Sequence, residues 1–395
     1  MSHYRLVLSA DHESALREHC AHARYVWNLC VEQEAEWRPG RGKMPRFAER
    51  CRQLSEARAD NPWLAEGSVI VQQQAVRDHD QAMASFFAGT HRRPTWRKAG
   101  RHEGFRIVAM KPGDVRRLNR SMAEVRIPKT GRVRFRLSRP VPAGVKSCRV
   151  TMDRAGRWHI AFAAIPDPIP APGNGDVVGV DRGVAVSAAL STGEMLNTPR
   201  LSPGRRIRLL RLQRKLTRAR TGSNRRSSVK QAIARLKAHE KDARKDWCEK
   251  LSTDLARRFD VIRVEDLRIG NMTRSAKGTV SEPGRNVRQK SGLNREIAAS
   301  GWGQLVSRLE HKAPGRVEKV NPAYTSQRCS QCKTADRKAR ESQAVFRCRA
   351  CGYCANADVN AAKNIAAGHA VTARGGSGLP GPENREPQPV PLPAA

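Results

Sequence analysis

The chain has 395 residues, of which 74 are Lys or Arg and 37 are Asp or Glu, so its formal net charge is +37. No apolar run in the sequence approaches the ~20 residues that cross a bilayer, and the charged N-terminal segment lacks the apolar stretch of a signal peptide. We therefore expect a cytoplasmic protein of two or three domains that binds a nucleic acid, because so large a charge excess repels itself unless a polyanion neutralises it.

The first ninety residues predict a strand followed by helices. Residues 4–9 alternate apolar and polar side chains, which is typical of a strand with one buried face. Apolar side chains then recur at three- and four-residue steps, the spacing of an amphipathic helix. This helical spacing is found in three segments: 13–36, 46–58 and 68–88.

Short alternating runs, typical of strands, follow residue 89. In the run 131–137, Val and Phe alternate with arginines, and the runs 148–152 and 158–164 flank the turn-rich sequence DRAGR as in a hairpin. A strand, then helices, then many strands predicts a small β-barrel interrupted by a helical insertion. The Pro/Gly-rich segment 166–175 predicts a linker after it.

The second half opens on two buried strands separated by a strongly basic segment. The apolar run after residue 176 ends at Asp181, and the run 260–266 contains Glu265 at its end. Between them, residues 205–237 hold 13 Lys or Arg and no acid, and their apolar residues have helical spacing, broken at TGSN. We interpret this segment as a basic helical hairpin that faces phosphates.

The remaining elements are predicted from composition and periodicity. The polar, Gly-rich residues 273–293 predict a mobile loop, 295–312 are predicted to be helical, and 317–320 could form a strand. The last 21 residues hold six Pro and four Gly, so the segment 371–395 is expected to be a disordered tail.

Four cysteines have the spacing of a structural zinc site. Cys329-x-x-Cys332 is followed after fifteen residues by Cys348-x-x-Cys351, which lets two knuckles present four thiolates to one ion. A closed four-thiolate shell leaves no position for water, so the predicted role is structural. Cys354 is a fifth thiol nearby, which we interpret as a spare, with competition for the fourth ligand position as the alternative.

Three carboxylates occupy positions from which they could converge. Asp181 and Glu265 end buried strands, and Asp358 opens a short Ala-rich helix. Carboxylates that meet from two strand ends and a helix suit hard cations, and two Mg²⁺ ions about 3.5–4 Å apart can activate water and stabilise the leaving oxygen of a phosphodiester. In a strongly basic protein, this set predicts a nuclease of the RNase H-like type.

Several segments together resemble the TnpB family, the insertion-sequence-borne ancestor of type V CRISPR effectors. They are GVDRGV, VEDLRIGNM, NPAYTSQRCSQC…CRACGYCANADVNAAKNI, HRRPTWRKAGRHEGFRI and GWGQLVSRLEHKA. The resemblance covers about residues 4–367. It implies an RNA-guided DNA endonuclease that binds an RNA from the element's end, cuts DNA beside a short adjacent motif, and so indirectly supports maintenance of the transposon in a bacterium or archaeon.

The resemblance also implies a multidomain α/β architecture. A wedge-like β-barrel (1–10 and 90–172) holds a helical recognition insertion (11–89), and a RuvC-like nuclease domain (173–325 and 355–370) holds a zinc ribbon (326–354). Asp181, Glu265 and Asp358 are similar in position to the family's catalytic, magnesium-binding acids. Cys329, Cys332, Cys348 and Cys351 match its zinc ligands, whereas Cys354 departs from the family pattern.

Basic residues in two segments are our candidates for contacts to the guide RNA or its heteroduplex with DNA. Trp96 could stack on a base, whereas Phe105 is expected in the core. The candidates are Arg92, Arg93, Trp96, Arg97, Lys98, Arg205, Arg206, Arg211, Arg214, Lys215, Arg218, Arg225 and Arg226. Two alternatives stay open: an RNA-guided repressor that binds DNA without cutting it, and a transposase that acts directly in DNA recombination.

Overall fold

A computed structural model describes residues 2–38, 40, 44–164 and 166–368 of the chain. The predicted disordered tail, 371–395, lies outside these residues. The chain divides into two compact units. Unit 1 comprises Met1–Asp167 and Arg200–Ala243, and unit 2 comprises Pro168–Pro199 and Arg244–Ala395.

Unit 1 contains a seven-stranded antiparallel sheet. Its strands are β1 (Ser2–Val7), β2 (Gly104–Val108), β3 (Val115–Arg117), β4 (Met122–Ile127), β5 (Gly131–Arg136), β6 (Ser147–Met152) and β7 (Trp158–Phe162). They are ordered β2-β6-β7-β1-β5-β4-β3. The hairpin of β6 and β7 is confirmed, with Asp153 Oδ1 accepting hydrogen bonds from two backbone N–H groups of the turn at 2.8 and 2.9 Å. Closure of this sheet into a barrel stays a prediction.

The predicted helical insertion lies between β1 and β2. It consists of α1 (Ala10–Glu36), α2 (Phe47–Asp60), α3 (Pro62–Glu66) and α4 (Val69–Phe87). Helix α1 begins where Ser9 accepts a hydrogen bond from the His12 backbone N–H, a typical N-cap. Apolar side chains of α1 and α4 share one core with the sheet, in which Leu16, Phe105 and Ile160 are buried. Phe105 therefore packs in the core, as expected.

The basic segment forms two helices, as predicted. Helix α5 (Pro203–Arg218) buries none of its side chains, and α6 (Asn224–Arg258) follows after a short turn. The break between them falls at TGSN, where Gly222 has a φ of +85° that suits glycine.

Unit 2 is built on a five-stranded mixed sheet. Its strands are β8 (Val177–Asp181), β9 (Ala188–Leu190), β10 (Met195–Leu196), β11 (Val261–Glu265) and β12 (Val317–Val320), in the order β10-β9-β8-β11-β12. Strands β8, β11 and β12 are parallel, and β9 and β10 run antiparallel to their neighbours. The central strands are apolar because both faces of the sheet are covered, as parallel strands require.

Helices and a small hairpin complete unit 2. They are α7 (Ile269–Met272), α8 (Val287–Ser300), α9 (Trp302–Lys312), β13 (Val345–Arg347), β14 (Cys354–Asn356) and α10 (Ala357–Ala366). One expectation was wrong here: the loop predicted over 273–293 ends early because α8 begins at Val287. The segment 295–312 is helical as predicted, but it is divided between two helices at Gly301. That glycine has a φ of +73°, a left-handed conformation that ends a helix.

Candidate active site and metal centre

Asp181 and Glu265 end two neighbouring parallel strands. The register pairs Val180 with Val264, so the residue that follows each of them lies at the same edge of the sheet. Asp358 is the second residue of α10, whose start is capped by the Asn356 side chain accepting hydrogen bonds from the N–H groups of Asp358 and Val359. Asp358 and Glu265 are buried. The three acids predicted from the sequence thus come from two strand ends and one helix start.

Close packing of α10 on β8 positions Asp358 beside Asp181. A Cβ atom at Gly179, within β8, would lie 2.1 Å from the Ala362 carbonyl oxygen and 2.4 Å from the Ala366 nitrogen. Because such contacts are too short for any side chain, glycine allows the helix to approach the strand backbone directly.

The other two acids affect the ionisation of Asp181. The pKa of Asp181 is raised to about 7, mainly by burial and also by repulsion from the nearby carboxylates of Glu265 and Asp358. Burial also raises the pKa of Glu265, opposed by a hydrogen bond from the Thr325 hydroxyl at 2.6 Å. Among the described residues, only the four clustered cysteines have ligand atoms that all lie within 4.8 Å of one another, so the three carboxylates are less tightly gathered. Their oxygens are nevertheless the ligand type that a hard metal ion prefers.

Two arginines that the sequence analysis missed adjoin the acids. Arg340 donates a hydrogen bond to Asp358 Oδ1 at 3.0 Å, and this cation lowers the pKa of Asp181. Arg182 is buried and donates to the backbone carbonyl of Glu265, which ties the ends of β8 and β11 together. No spacing rule singles out Arg340, because the loop that carries it is shaped by the cysteine cluster.

The pKa of Asp181 predicts how stability depends on pH. The folded-state pKa of about 7 exceeds the ordinary value of 3.8, so the folded chain holds the Asp181 proton more tightly than the unfolded chain does. The contribution of this proton to the free energy of unfolding is full below about pH 4 and is lost as the pH rises through 7. Asparagine cannot ionise. We therefore compare the free energy of unfolding of Asp181→Asn with that of the unmodified chain, both without magnesium. The difference in favour of the variant is expected to be about 3 kcal/mol larger at pH 8 than at pH 5.

Urea unfolding of both proteins at the two pH values measures this difference. Asp176→Asn, at the exposed residue immediately before β8, is the control for replacing an aspartate by asparagine in this segment. An Asp181→Asn gain that is equal at pH 5 and pH 8 would contradict the raised pKa.

The four predicted zinc ligands lie together. The Sγ atoms of Cys329, Cys332, Cys348 and Cys351 are all within 4.8 Å of one another, with 3.8 Å between Cys329 and Cys351 and 3.5 Å between Cys332 and Cys348. Such a group of thiols is compatible with tetrahedral zinc. Cys354, at the start of β14, is not part of the group, in agreement with its interpretation as a spare thiol.

Hydrogen bonds connect the first knuckle to α10. Asn360 accepts a bond from the Ser330 N–H at 2.9 Å and donates to the Arg328 carbonyl at 2.8 Å. Asn364 donates to the carbonyls of Thr325 and Arg328 at 2.9 and 2.6 Å. The cysteine cluster therefore supports the helix on which Asp358 lies.

The basic candidates of α5 and of the first turn of α6 are exposed, except for the half-buried Arg226. Arg218 Nε donates to the Arg214 carbonyl at 3.3 Å. Arg205 contacts His239 at 3.0 Å, and Arg226 donates to the carbonyls of Leu216 and Ala219 at 2.6 and 2.9 Å, where it caps α5. The exposed candidates in this region are Arg205, Arg206, Arg211, Arg214, Lys215, Arg218 and Arg225.

The basic candidates of 92–98 lie on an extended segment beside α1. Asn28 fixes it by donating to the Arg97 carbonyl at 3.1 Å and accepting from the Arg97 N–H at 2.8 Å. The Arg97 guanidinium lies 3.4 Å from the centre of the Trp27 ring, and burial lowers its pKa to about 10. Trp96 is 54% exposed, so its ring is available for stacking. None of these contacts tests binding, and the assignments stay predictions.

Two protein-family models match the chain. The model OrfB_IS605, described as a probable transposase, matches residues 159–276, which include Asp181 and Glu265. A model described as the Cas12f1-like TNB domain matches residues 302–365, which include Asp358 and the four clustered cysteines. Among the described helices, none has the length and apolarity that spanning a bilayer requires.

Similar proteins extend over nearly the whole chain. A putative RNA-guided DNA endonuclease, InsQ of Escherichia coli K12, is 36% identical over 379 residues, 94% of this chain and 93% of the relative. A putative RNA-guided DNA endonuclease of Streptomyces pristinaespiralis is 29% identical over 94% of this chain and 90% of its own length. In fold, the chain is similar to Cas12f1 in a cryo-EM structure of a Cas12f1–sgRNA–target DNA complex. The TM-score is 0.55, with 13% identity, over 91% of this chain and 83% of that one.

Proposed function

The chain belongs to the OrfB_IS605, or TnpB, family, and on that premise we propose that it is an RNA-guided, Mg²⁺-dependent DNA endonuclease of an insertion sequence. In this proposal it cuts DNA beside a short adjacent motif in the cytoplasm, and it supports the transposon indirectly by doing so. The two relatives that match over nearly its full length are both named as putative RNA-guided DNA endonucleases.

One observation carries the proposal: Asp181, Glu265 and Asp358 lie close enough that the last two raise the pKa of the first. A merely structural role does not explain why Asp181 lies where two further carboxylates raise its pKa. Perturbed groups of this kind cluster at functional sites, where a ligand compensates the repulsion.

The residues present suit magnesium. Asp181, Glu265 and Asp358 would hold it with carboxylate oxygens, the ligands that this ion prefers. Bound magnesium would supply activation of water and stabilisation of the leaving oxygen in phosphodiester hydrolysis, with two ions in our proposal. The Thr325 hydroxyl orients Glu265, and Arg340 places a guanidinium, which pairs well with phosphate oxygens, at the edge of the acids.

In this proposal, base pairing by the RNA reads the target sequence, and the protein holds the backbones. Helix α5 and the segment 92–98 supply cations for those phosphates, and Trp96 supplies an aromatic face. Zinc, held by the four clustered cysteines, is structural.

The test is cleavage by the full chain purified with its co-expressed RNA. Sequencing that RNA identifies the guide, and a matched duplex with Mg²⁺ is then the substrate. We expect the duplex to be cut, and an unmatched duplex or EDTA to give no product. Tight binding of the matched duplex without cutting would favour the repressor instead. Joining of DNA ends without guide dependence would favour a transposase.

Affinity for the guide RNA is expected to fall steeply with salt, because binding releases counterions from each neutralised phosphate. Replacing Arg206, Arg211 and Arg214 by glutamine should reduce the slope of log K against log salt by about 2, since each contact contributes roughly 0.7–0.9. Titrations of labelled RNA between low and physiological salt measure both slopes.

A matched control replaces three exposed cations of the cysteine-rich segment, Arg337, Lys338 and Arg349, by glutamine. Its slope should equal that of the unmodified chain. If the α5 variant also keeps the original slope, α5 does not bind the guide.

A further inference from the structure

The ladder that joins β8 to β11 ends one residue before the acids. Its last pair is Val180 with Val264, so neither acid belongs to a pair of this ladder. Asp181 is instead paired with β9, and Glu265 is paired with β12. The two acids therefore lie on strand ends that are each held by the outer neighbour, and their spacing depends on what joins these ends beyond the ladder.

The guanidinium of Arg182 makes that connection. Arg182 directly follows Asp181, and one of its terminal nitrogens donates a hydrogen bond to the backbone carbonyl of Glu265. The backbone after Arg182 is fixed as well, because the Trp302 indole N–H donates to the Gly183 carbonyl at 3.2 Å. A fixed backbone and a side chain that reaches the neighbouring strand together set the distance between the ends of β8 and β11.

Burial of Arg182 is unfavourable for folding. The residue is 5% exposed, and its Nε is buried without a hydrogen-bond partner among the described residues. Burial lowers the pKa of the guanidinium, and the carboxylates of Glu265 and Asp181 act in the opposite direction. A buried cation with an unpartnered nitrogen costs folding free energy that an apolar side chain would avoid. This cost indicates that Arg182 serves the acids beside it.

Unit 2 contains a second arginine clamp, which is far from the acids in the sheet. Arg316, immediately before β12, donates at 2.8 to 3.0 Å to three backbone carbonyls, those of Phe259, Ile169 and Ala256. Its contacts lie where β11 and β12 begin, whereas Glu265 lies where β11 ends. Arg316 is therefore a matched control for a clamp that serves only the fold.

We propose that Arg182 is a positioning residue, which holds Asp181 and Glu265 at the spacing that a small divalent cation requires. In this role it touches neither the ion nor the DNA. Mg²⁺ demands near-ideal octahedral geometry with oxygens at about 2.0–2.1 Å, whereas Ca²⁺ accepts oxygens at about 2.3–2.6 Å in flexible arrangements. A clamp on the two strand ends therefore favours magnesium over calcium. The inference rests on the proposed nuclease function.

A role through charge alone would have the opposite sign. A cation beside the acids repels a metal ion, so its removal would strengthen the binding of Mg²⁺ and Ca²⁺ alike. Loss of a clamp weakens binding, and it weakens Mg²⁺ more than Ca²⁺ because only magnesium demands one geometry. The direction of the change and the difference between the two ions therefore identify how Arg182 acts.

The test replaces Arg182 by methionine, which keeps an unbranched side chain but neither the charge nor the donor. Melting temperatures of the full chain without RNA are measured over a series of Mg²⁺ or Ca²⁺ concentrations, because an ion that binds only the folded chain stabilises it by mass action. Asp181→Asn gives the baseline for ions bound elsewhere. We expect the Mg²⁺ affinity of Arg182→Met to fall about 10- to 100-fold, the usual effect of losing a residue that orients metal ligands, and the Ca²⁺ affinity to fall less.

Cleavage by the full ribonucleoprotein gives a second measurement. In Arg182→Met, the Mg²⁺ concentration for half-maximal single-turnover cleavage should rise by a similar factor, and saturating Mg²⁺ should restore most of the rate. Arg316→Met should lower the melting temperature without changing the dependence on Mg²⁺ in either measurement. If Arg182→Met does not fold, Arg182→Lys replaces it: lysine keeps the charge but not the planar fork, so a loss of Mg²⁺ affinity in this variant cannot come from charge.

The outcomes separate the two proposals. Unchanged or tighter Mg²⁺ binding in the Arg182 variant, or equal losses for both ions, overturns the positioning role while the nuclease stands. If Mg²⁺ stabilises Asp181→Asn as much as the unmodified chain, the acids do not hold magnesium. The proposed function then fails, and the role of Arg182 fails with it.

Discussion

Asp181→Asn is expected to reduce cleavage of matched DNA by about 10³-fold or more. The substitution removes one of three carboxylates that would hold magnesium. A bound metal stabilises the charge of the transition state by several kcal/mol, and each ~1.4 kcal/mol that is lost slows the reaction tenfold. Single-turnover rates with the co-purified RNA and saturating protein measure the loss. Binding of guide and target should stay unchanged, because Asp181 lies on a strand end and not on α5.

Two controls accompany this variant. Asp176→Asn changes the same residue type at the exposed position immediately before β8, and Cys20→Ala changes a buried thiol of the other unit. Both variants should cut normally. If Asp181→Asn retains full activity, the acids are not the catalytic centre. If it loses the target duplex as well as cleavage, its role is in binding.

Cys332→Ser is expected to lower the zinc content from about one ion per chain to none, since the site needs four thiolates. Apparent zinc-binding free energies in such sites reach ~10–16 kcal/mol, so the cysteine-rich segment should lose its fold. Asn360 and Asn364 of α10 form hydrogen bonds with the first knuckle, so loss of the knuckle should shift α10 and Asp358 with it. A displacement of a reacting group by ~1 Å can reduce the rate by 10²-fold.

Metal analysis, limited proteolysis and cleavage rates measure these three effects. Cys354→Ser is the matched control: it removes an exposed thiol three residues beyond Cys351, and it should keep both zinc and activity. Zinc loss in the control instead would show that Cys354 is a ligand. A metal-free Cys332→Ser protein that still cuts at the full rate would show that the ribbon does not support Asp358.

Short-range patterns predicted the elements that position the acids. Alternation and apolar runs predicted the strands that end at Asp181 and Glu265, and the rule that parallel strands share an edge brings their ends together. Cysteine spacing predicted the four-sulfur group, because a knuckle is a local structure. Periodicity could not predict the break at Gly301, since apolar residues continue on both sides of it.

The neighbours of the acids could not be predicted in the same way. Arg340 and Thr325 lie on irregular segments, and their positions follow from tertiary contacts with α10 and with β11. A sequence rich in arginine also gives no reason to prefer Arg340 over any other. Exposure likewise had to be observed: Trp96 is available to a ligand, whereas Arg97 is packed on Trp27.

Helix α5 has a consequence for how an RNA-free molecule behaves. Because the helix buries no side chain, packing contributes little to its stability, and its crowded cations repel one another. A bound polyanion removes that repulsion, so loading and helix formation reinforce each other. Trypsin cuts after arginine and lysine in unfolded segments. If α5 binds the guide RNA as proposed, trypsin should cut residues 205–218 faster in the RNA-free protein than in the protein that holds a guide. Degradation in the cell would then spare the molecules that have already bound their guide RNA.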